Sequence, residues 1–454
     1  MSEETWHQAR LIPTSGINGA EEQERRATSA LLAVMSSVRE YGRTITKQVG
    51  APAGTLTSFI EVPFVLEDRK LFPDGLIRVR RGKTEWTALV EVKTGTNPLE
   101  GQQLENYLDI ARREGFDAVV TVSNEIPPMA GQHPTKVDKR KLRTVALHHL
   151  SWSKILVEAV VQKEYRGVAD PDQAWILGEL IRYLEHPKSG ALQFGDMGES
   201  WVAVRDGVSR GTLRMSDKGL FDVVARWDAL LRFASLQLGR DLGEEVTPVL
   251  RRKETRDPAL RSQDLAQDLV DRGVLSGVIR IPNAVGNVTV TADLRAAQVT
   301  CHIDIDAPQT GRAVTRVKWL TRQLTLAGDD VRVDAFAAYA HGPGASELLG
   351  AVREDPSVLV LDAKRELRKF RVASTVSMGA KRGRGRGAFI DSVLDAIDSF
   401  YGDVVQHLKA WRASPPPMRQ LPQIEDESRK FSSTALSSQD GPTEESGDVP
   451  SASI

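Results

Sequence analysis

The chain has 454 residues, room for about two to four domains of roughly 100–200 residues each. Its 41% apolar and 27% charged residues are ordinary for a globular protein, and a formal net charge of -1 leaves any nucleic-acid footprint to local clustering. A single cysteine, Cys301, excludes a disulfide within the chain and a cysteine-built zinc site, and no apolar run approaches the ~18–20 residues of a membrane span.

Residues 1–19 read as an irregular lead-in with no basic start followed by an apolar stretch, so no secretory leader is expected and the protein is assigned to the cytoplasm. From Glu21 to Tyr41 the pattern is helical, with Ala27, Leu31, Met35 and Val38 on one face. After the turn formers of VGAPAG come three predicted strands: TSFIEVPFVL, DGLIRVR and WTALVEVKT. RRGKTE is the turn between the last two. NPLEGQQLENYLDIARREG is a predicted helix with Leu104, Leu108 and Ala111 along one face; FDAVVTVSN and TVALHHLS are strands; WSKILVEAVVQKE is a helix. This order predicts an α/β domain over 20–166. A mainly helical domain is expected over 167–273, with Trp175 and Trp227 as core anchors. Strand patterns return from Val274, predicting an α+β domain over 274–412 with Cys301 as a small core residue, and helices over ASELLGAVRED and from Ile390 to Trp411. From 413 to 454 the chain is rich in Ser, Pro, Glu and Asp, which predicts a disordered tail.

Three charges stand out in LFPDGLIRVRRGKTEWTALVEVKTG. Glu91 and Lys93 are two apart on a strand and project to one side. Asp74 begins the preceding strand. Both charged ends lie about equally far from RRGKTE, so antiparallel pairing brings Asp74 to Glu91 and Lys93 at one sheet edge. Two convergent carboxylates suit a hard divalent cation such as Mg2+, which takes one or two carboxylates and fills its shell with water and phosphate oxygens. A lysine beside it holds an attacking water or offsets charge building on a phosphate.

The PD of Pro73–Asp74, sixteen intervening residues, and the EVK of Glu91–Lys93 resemble the PD-(D/E)XK nuclease superfamily, over about a third of the chain. QLENY, with Gln103 and Tyr107 four apart on one helix face, is similar to the Q-x-x-x-Y motif of its RecB-like branch. The resemblance implies a restriction-endonuclease-like sheet flanked by helices. It implies Mg2+ (Mn2+ as the alternative) held by Asp74, Glu91 and the Val92 carbonyl, with Lys93 acting on water. It also implies that Gln103 and Tyr107 support the site, with an acidic residue from the first helix facing it. Glu24 is the candidate for that acid, with Glu21 open; Gln102 remains open beside Gln103.

Far along the chain, AKRGRGRGAF carries Lys381, Arg382, Arg384 and Arg386 among glycines, a candidate grip for nucleic-acid phosphates or else a solvated loop. The preceding KRELRKFR adds positive charge. His148 and His149 are adjacent and read as structural. The chain has neither a phosphate-binding Gly-x-x-x-x-Gly-Lys-Ser/Thr loop nor a Gly-x-Ser-x-Gly elbow, so no nucleotide-driven motor is implied. The leading expectation is a Mg2+-dependent nuclease acting on DNA, with no membrane partner. The rivals are a catalytically silent nucleic-acid-binding or stress-related protein on a nuclease-like scaffold, and an RNA-directed defence nuclease.

Overall fold

The first sheet has five strands, in spatial order Thr55–Ile60, Gly75–Arg81, Thr84–Val92, Ala118–Ser123 and Ala146–Ser151, antiparallel at one end and parallel at the other. The computed structural model describes residues 11–12, 19–127, 132–191, 194–339, 342 and 344–413. The expected lead-in and tail lie almost wholly outside these residues. In chain order the first lobe contains α1 (Ala20–Ser37), α2 (Arg39–Gln48), β1 (Thr55–Ile60), β2 (Phe64–Leu66), β3 (Arg69–Leu71), β4 (Gly75–Arg81), β5 (Thr84–Val92), α3 (Gly101–Glu114), β6 (Ala118–Ser123), β7 (Ala146–Ser151), α4 (Trp152–Val161) and α5 (Pro171–Glu185).

Alternation along β5 divides this sheet's two faces. Trp86, Ala88, Val90 and Val92 join a core with α1, α2, α4 and α5, whereas Leu89 joins Tyr107, Leu108 and Ala111 of α3 on the other face. The β4–β5 hairpin turns at Gly82, whose φ of 60° suits a glycine, and its register sets Gly75 opposite Val90.

Two local expectations change. The single helix expected over 21–41 breaks at Val38, which is extended, and α2 folds back on α1. The return depends on Gly42, where a Cβ would meet the Met35 carbonyl oxygen at 2.0 Å. TSFIEVPFVL is not one strand either. It bends after Ile60 at Glu61, with φ 51°, and its second half pairs with β3 in a small hairpin turning at Glu67 and Asp68, both at positive φ.

The second lobe contains α6 (Trp201–Ser209), α7 (Leu220–Leu242), β8 (Thr247–Pro248), α8 (Arg252–Arg256), α9 (Pro258–Arg272), β9 (Val274–Arg280), β10 (Val288–Asp293), β11 (Gln298–Asp306), α10 (Ala313–Thr321), β12 (Arg332–Ala337), β13 (Ala345–Leu348), α11 (Leu349–Glu354), β14 (Leu367–Ser377) and α12 (Phe389–Asp403). Its strands form a seven-stranded antiparallel sheet, β13-β12-β14-β11-β10-β9-β8. Alternate residues of β11, Val299 to Ile305, are buried in one core with α6, α7, α9, α10 and α12, and Cys301 is among them.

The cores cross both internal boundaries drawn from composition. α5 packs into the first lobe through Leu177, Leu180 and Tyr183, while α6–α9 share their core with the second sheet. Trp227 is fully buried, but Trp175 is 52% exposed because α5 turns its Leu177–Leu180–Leu184 face inward instead. ASELLGAVRED divides into β13 and α11, and the helix starting near Ile390 ends at Asp403. β14, an interior strand of the second sheet between β12 and β11, runs through the stretch read as a basic run. Among the described residues no helix is long and apolar enough to cross a membrane.

Candidate functional site

The β4–β5 register continues one step beyond Gly75 and Val90, which brings Asp74 to Glu91. Asp74 is fixed by its own hairpin partner: its Oδ2 accepts a 2.7 Å hydrogen bond from the Val92 amide. Lys93 follows the strand end, its amide donating to the Val122 carbonyl at 2.7 Å and its carbonyl accepting from Trp152 Nε1 at 2.9 Å. With its backbone held at both sides, Lys93 places Nζ 2.8 Å from Glu91 Oε1 and 3.2 Å from Glu24 Oε2. Glu24 comes from the first turns of α1, and Asn97 donates to its other oxygen at 2.5 Å.

Glu91 is only 1% exposed. Lys93 pairs with it, Nζ lying 2.8 Å from Oε1. Burial first, and then repulsion from Asp74, push its carboxyl up to about 8 against the pull of Lys93. Asp74 is also raised, by burial above all; the Val92 amide and Lys93 work the other way. Burial pulls Lys93 down, but Glu91, Glu24 and Asp74 outweigh it and the ammonium is held more firmly than usual. Three carboxyls against one ammonium leave a deficit of two positive charges when all are ionised, which is the charge of one divalent cation.

The donor set fits such a cation, since the free oxygens of Asp74 and Glu91 are hard ligands. Among the described residues no group of three or more His, Cys, Asp or Glu is arranged to enclose a metal. A cation here would therefore complete its shell with water and substrate oxygens, as Mg2+ commonly does. Val92 is buried and contributes its amide to Asp74.

The helix pair also lies at this edge. Gln103 Nε2 donates to Tyr107 Oη at 3.1 Å, and Tyr107 Oη donates to the Phe72 carbonyl at 3.4 Å, two residues before Asp74. Gln102 instead bonds Asn106 on the exposed side of α3. On α1, Glu21 pairs with Arg25 at 90% side-chain exposure, so Glu24 is the acid that reaches Lys93.

Several neighbours carried no local sequence signal. Asn97, Trp152 and Asn124 reach the site from separate elements. Asn124 Nδ2 donates to the carbonyls of Gly95 and Gly190 at 2.9 and 2.7 Å, tying the turn after Lys93 to the chain after α5. Gly190, with φ 78°, has no room for a Cβ, which would lie 2.4 Å from Gln23 Oε1 and 2.7 Å from Thr94 Cβ. Outside the carboxyls a cavity of about 420 Å3 opens, lined by Glu24, Arg25, Ile60, Phe72 and Asp74, with Phe72 54% exposed.

The four cations of the basic loop are exposed, and several of them have partners within the protein. Arg382 pairs with Asp196 at 3.1 Å and Arg384 with Asp391 at 2.5 Å, while Lys381 Nζ donates to the Arg386 carbonyl at 2.9 Å. It also docks on the segment after Gly190: Arg384 Nη1 donates to the Phe194 carbonyl at 3.5 Å. Phe194 lies four chain steps beyond Gly190, so at most about 14 Å separates the loop's anchor from the turn after Lys93. His149 is structural, held between Thr121 Oγ1 at 2.8 Å and the Glu125 carbonyl at 2.9 Å.

No protein-family model matches the chain, and no curated protein matches it.

Proposed function

We propose that the protein is a metal-dependent phosphodiesterase, a nuclease of the PD-(D/E)XK type acting on DNA, with Mg2+ as the cation and Mn2+ as its substitute. One observation carries the reading: two carboxyls, Asp74 and the buried Glu91, converge at one sheet edge with a single ammonium, that of Lys93, 2.8 Å from Glu91. Burying two carboxyls beside a single ammonium is costly, and sites that accept that cost tend to be functional.

Asp74 and Glu91 would hold the cation, with the Val92 carbonyl as a further oxygen. When bound, the cation supplies Lewis-acid polarisation of a phosphate and acidification of a water. Lys93, its backbone clamped by Val122 and Trp152, orients that water or offsets the charge developing on the phosphate. Glu24, itself held by Asn97, holds the Lys93 ammonium in place. Tyr107, steadied by Gln103, fixes the Phe72 carbonyl and so the turn that presents Asp74. The half-exposed Phe72 at the mouth gives a base beside the cleaved phosphate a ring to stack on.

The test is cleavage of single- and double-stranded DNA, and of RNA, with Mg2+. Asp74→Ala and Lys93→Ala are expected to lose at least about 100-fold in rate, the scale of removing one charge-stabilising group. Intact wild-type activity in either variant, or no cleavage by wild type, sinks the reading. A second reading has one observation in its favour: Lys93 Nζ is already engaged by Glu91 and Glu24. On that reading the triad is a structural ion-pair network on a silent scaffold, and the same variants lose stability but no activity.

A further inference from the structure

Two cavities meet where the lobes join, away from Asp74 and Glu91. The larger, about 710 Å3, lies between α2, α4, α7 and the chain from Glu244 to Leu250. The smaller, about 150 Å3, reaches in from it toward β7. Gln48, Lys154, Arg232 and Leu236 line both.

The smaller cavity is built of donors. Besides Lys154 and Arg232 it is lined by Gln48, Gln132 and Ser151, and among the described residues no carboxylate lines it. Arg232 projects from α7 and donates from Nη1 to the Pro127 carbonyl at 3.1 Å, which uses one of its five N–H groups. Burial pushes this guanidinium below its usual value with no carboxylate to counter the effect. Lys154 does have one, Glu158 at 2.8 Å, but Glu158 also serves Arg166 at 3.0 Å and Gln48 at 3.1 Å. Ser151 Oγ accepts from the Lys154 amide, which leaves its hydroxyl hydrogen free to donate. The histidines add no positive charge: burial holds His149 down at about 4 and His148 below its usual value. Two cations and three neutral donors thus face a space of phosphate size. The larger cavity continues it with an apolar wall that includes Val157, Val161 and Val246, and its carboxylates, Glu158, Glu244 and Glu245, lie outside the smaller cavity.

We propose that this junction is a binding site for a phosphomonoester of nucleotide size, its phosphate held by Arg232 and Lys154 and its organic part against the apolar wall. A half-buried guanidinium without a counter-ion is unfavourable, and a phosphate dianion meets it with charge-assisted hydrogen bonds. The phosphate arrives either on a free nucleotide or as the terminal phosphate of a nucleic-acid strand; both present the same group. The site does not depend on the nuclease reading, because it shares no residue with the carboxyl pair.

Calorimetric titration of the full chain in EDTA, which removes any metal-bound phosphate at Asp74 and Glu91, tests it. Inorganic phosphate and adenosine 5′-monophosphate are expected to bind and adenosine is not. Arg232→Gln should weaken binding about 10- to 100-fold, the worth of hydrogen bonds to a charged group. Because that change also disturbs the Pro127 contact, Lys154→Gln is the companion variant. It leaves Glu158 paired with Arg166 and Gln48, and should weaken binding several-fold. A 5′-phosphorylated oligonucleotide that outbinds its 5′-hydroxyl form, in an Arg232-dependent way, assigns the phosphate to a strand end. Equal binding of the two assigns it to a free nucleotide. The proposal is overturned if neither phosphate nor the monophosphate binds at up to about 10 mM, if adenosine matches the monophosphate, or if both variants bind like wild type.

Discussion

Glu91 sits where a hydrophobic strand residue would make the lobe more stable, and its behaviour with pH follows from that. Its carboxyl titrates near 8 in the folded protein against 4.5 when unfolded. A raised folded value means the neutral carboxyl favours folding: that contribution is full below 4.5 and is lost as pH rises through 8. Glu91→Gln keeps the shape and removes the charge, and Lys93 retains Glu24 at 3.2 Å. In EDTA the variant is therefore expected to be more stable than wild type at pH 9, by on the order of 2 kcal/mol, with little gain at pH 5. Denaturant titrations at the two pH values measure this; a gain that does not grow with pH contradicts the buried charge. Phe72 makes a separate claim at the mouth of the site. Phe72→Ala should weaken single-stranded oligonucleotide binding about 5- to 100-fold, as loss of one stacked base does, and leave duplex binding nearly unchanged. Fluorescence anisotropy with Ca2+ in place of Mg2+ reads it without cleavage, and equal losses on both substrates would point to a steric effect instead.

Among the elements, the β4–β5 hairpin was the most legible. Its apolar runs alternate, its turn has a glycine, and the equal spacing of Asp74 and Glu91 from that turn set their register before any coordinates. The neighbours of Lys93 were not legible, because Trp152, Asn124 and Gly190 arrive through contacts across 29 to 66 residues in sequence. The β2–β3 turn escaped notice because Glu67 and Asp68 adopt positive φ without the Asn-Gly signal. β14 was missed for an electrostatic reason: Lys369 and Arg371 look like a cationic run, but they alternate with buried Phe370 and Val372 and both pair with Asp304. The ion partners of the basic loop, Asp196 and Asp391, are likewise invisible to composition. That pairing separates its arginines. Arg384→Gln unpairs Asp391 and should lower stability, whereas Arg386 is exposed and its loss should leave stability unchanged. If the loop grips a nucleic-acid backbone through Arg386, Arg386→Gln also reduces the salt slope of duplex binding by about 0.9. An unchanged slope removes Arg386 from the grip.

At the scale of the whole molecule, two lobes with separate cores meet through α4 and α7, beside a cavity of about 710 Å3. The first core contains Trp86 and Trp152, the second Trp201 and Trp227. Each lobe buries its own aromatic anchors, and the junction between them, where α4 packs on α7, is partly hollow. Thermal unfolding is therefore expected to show two transitions rather than one. The carboxyl pair belongs wholly to the first lobe, so Mg2+ at 100 times its dissociation constant should stabilise that transition by about 2.7 kcal/mol and leave the second in place. Inorganic phosphate, bound by Lys154 on α4 and Arg232 on α7, bridges the lobes and should raise both transitions and draw them together. Calorimetry with each ligand alone distinguishes the cases, and Glu91→Gln should abolish the Mg2+ shift while leaving the phosphate shift intact. A Mg2+ shift confined to the second transition would place the cation elsewhere in the molecule. A phosphate shift confined to one transition would mean that the ligand does not span α4 and α7.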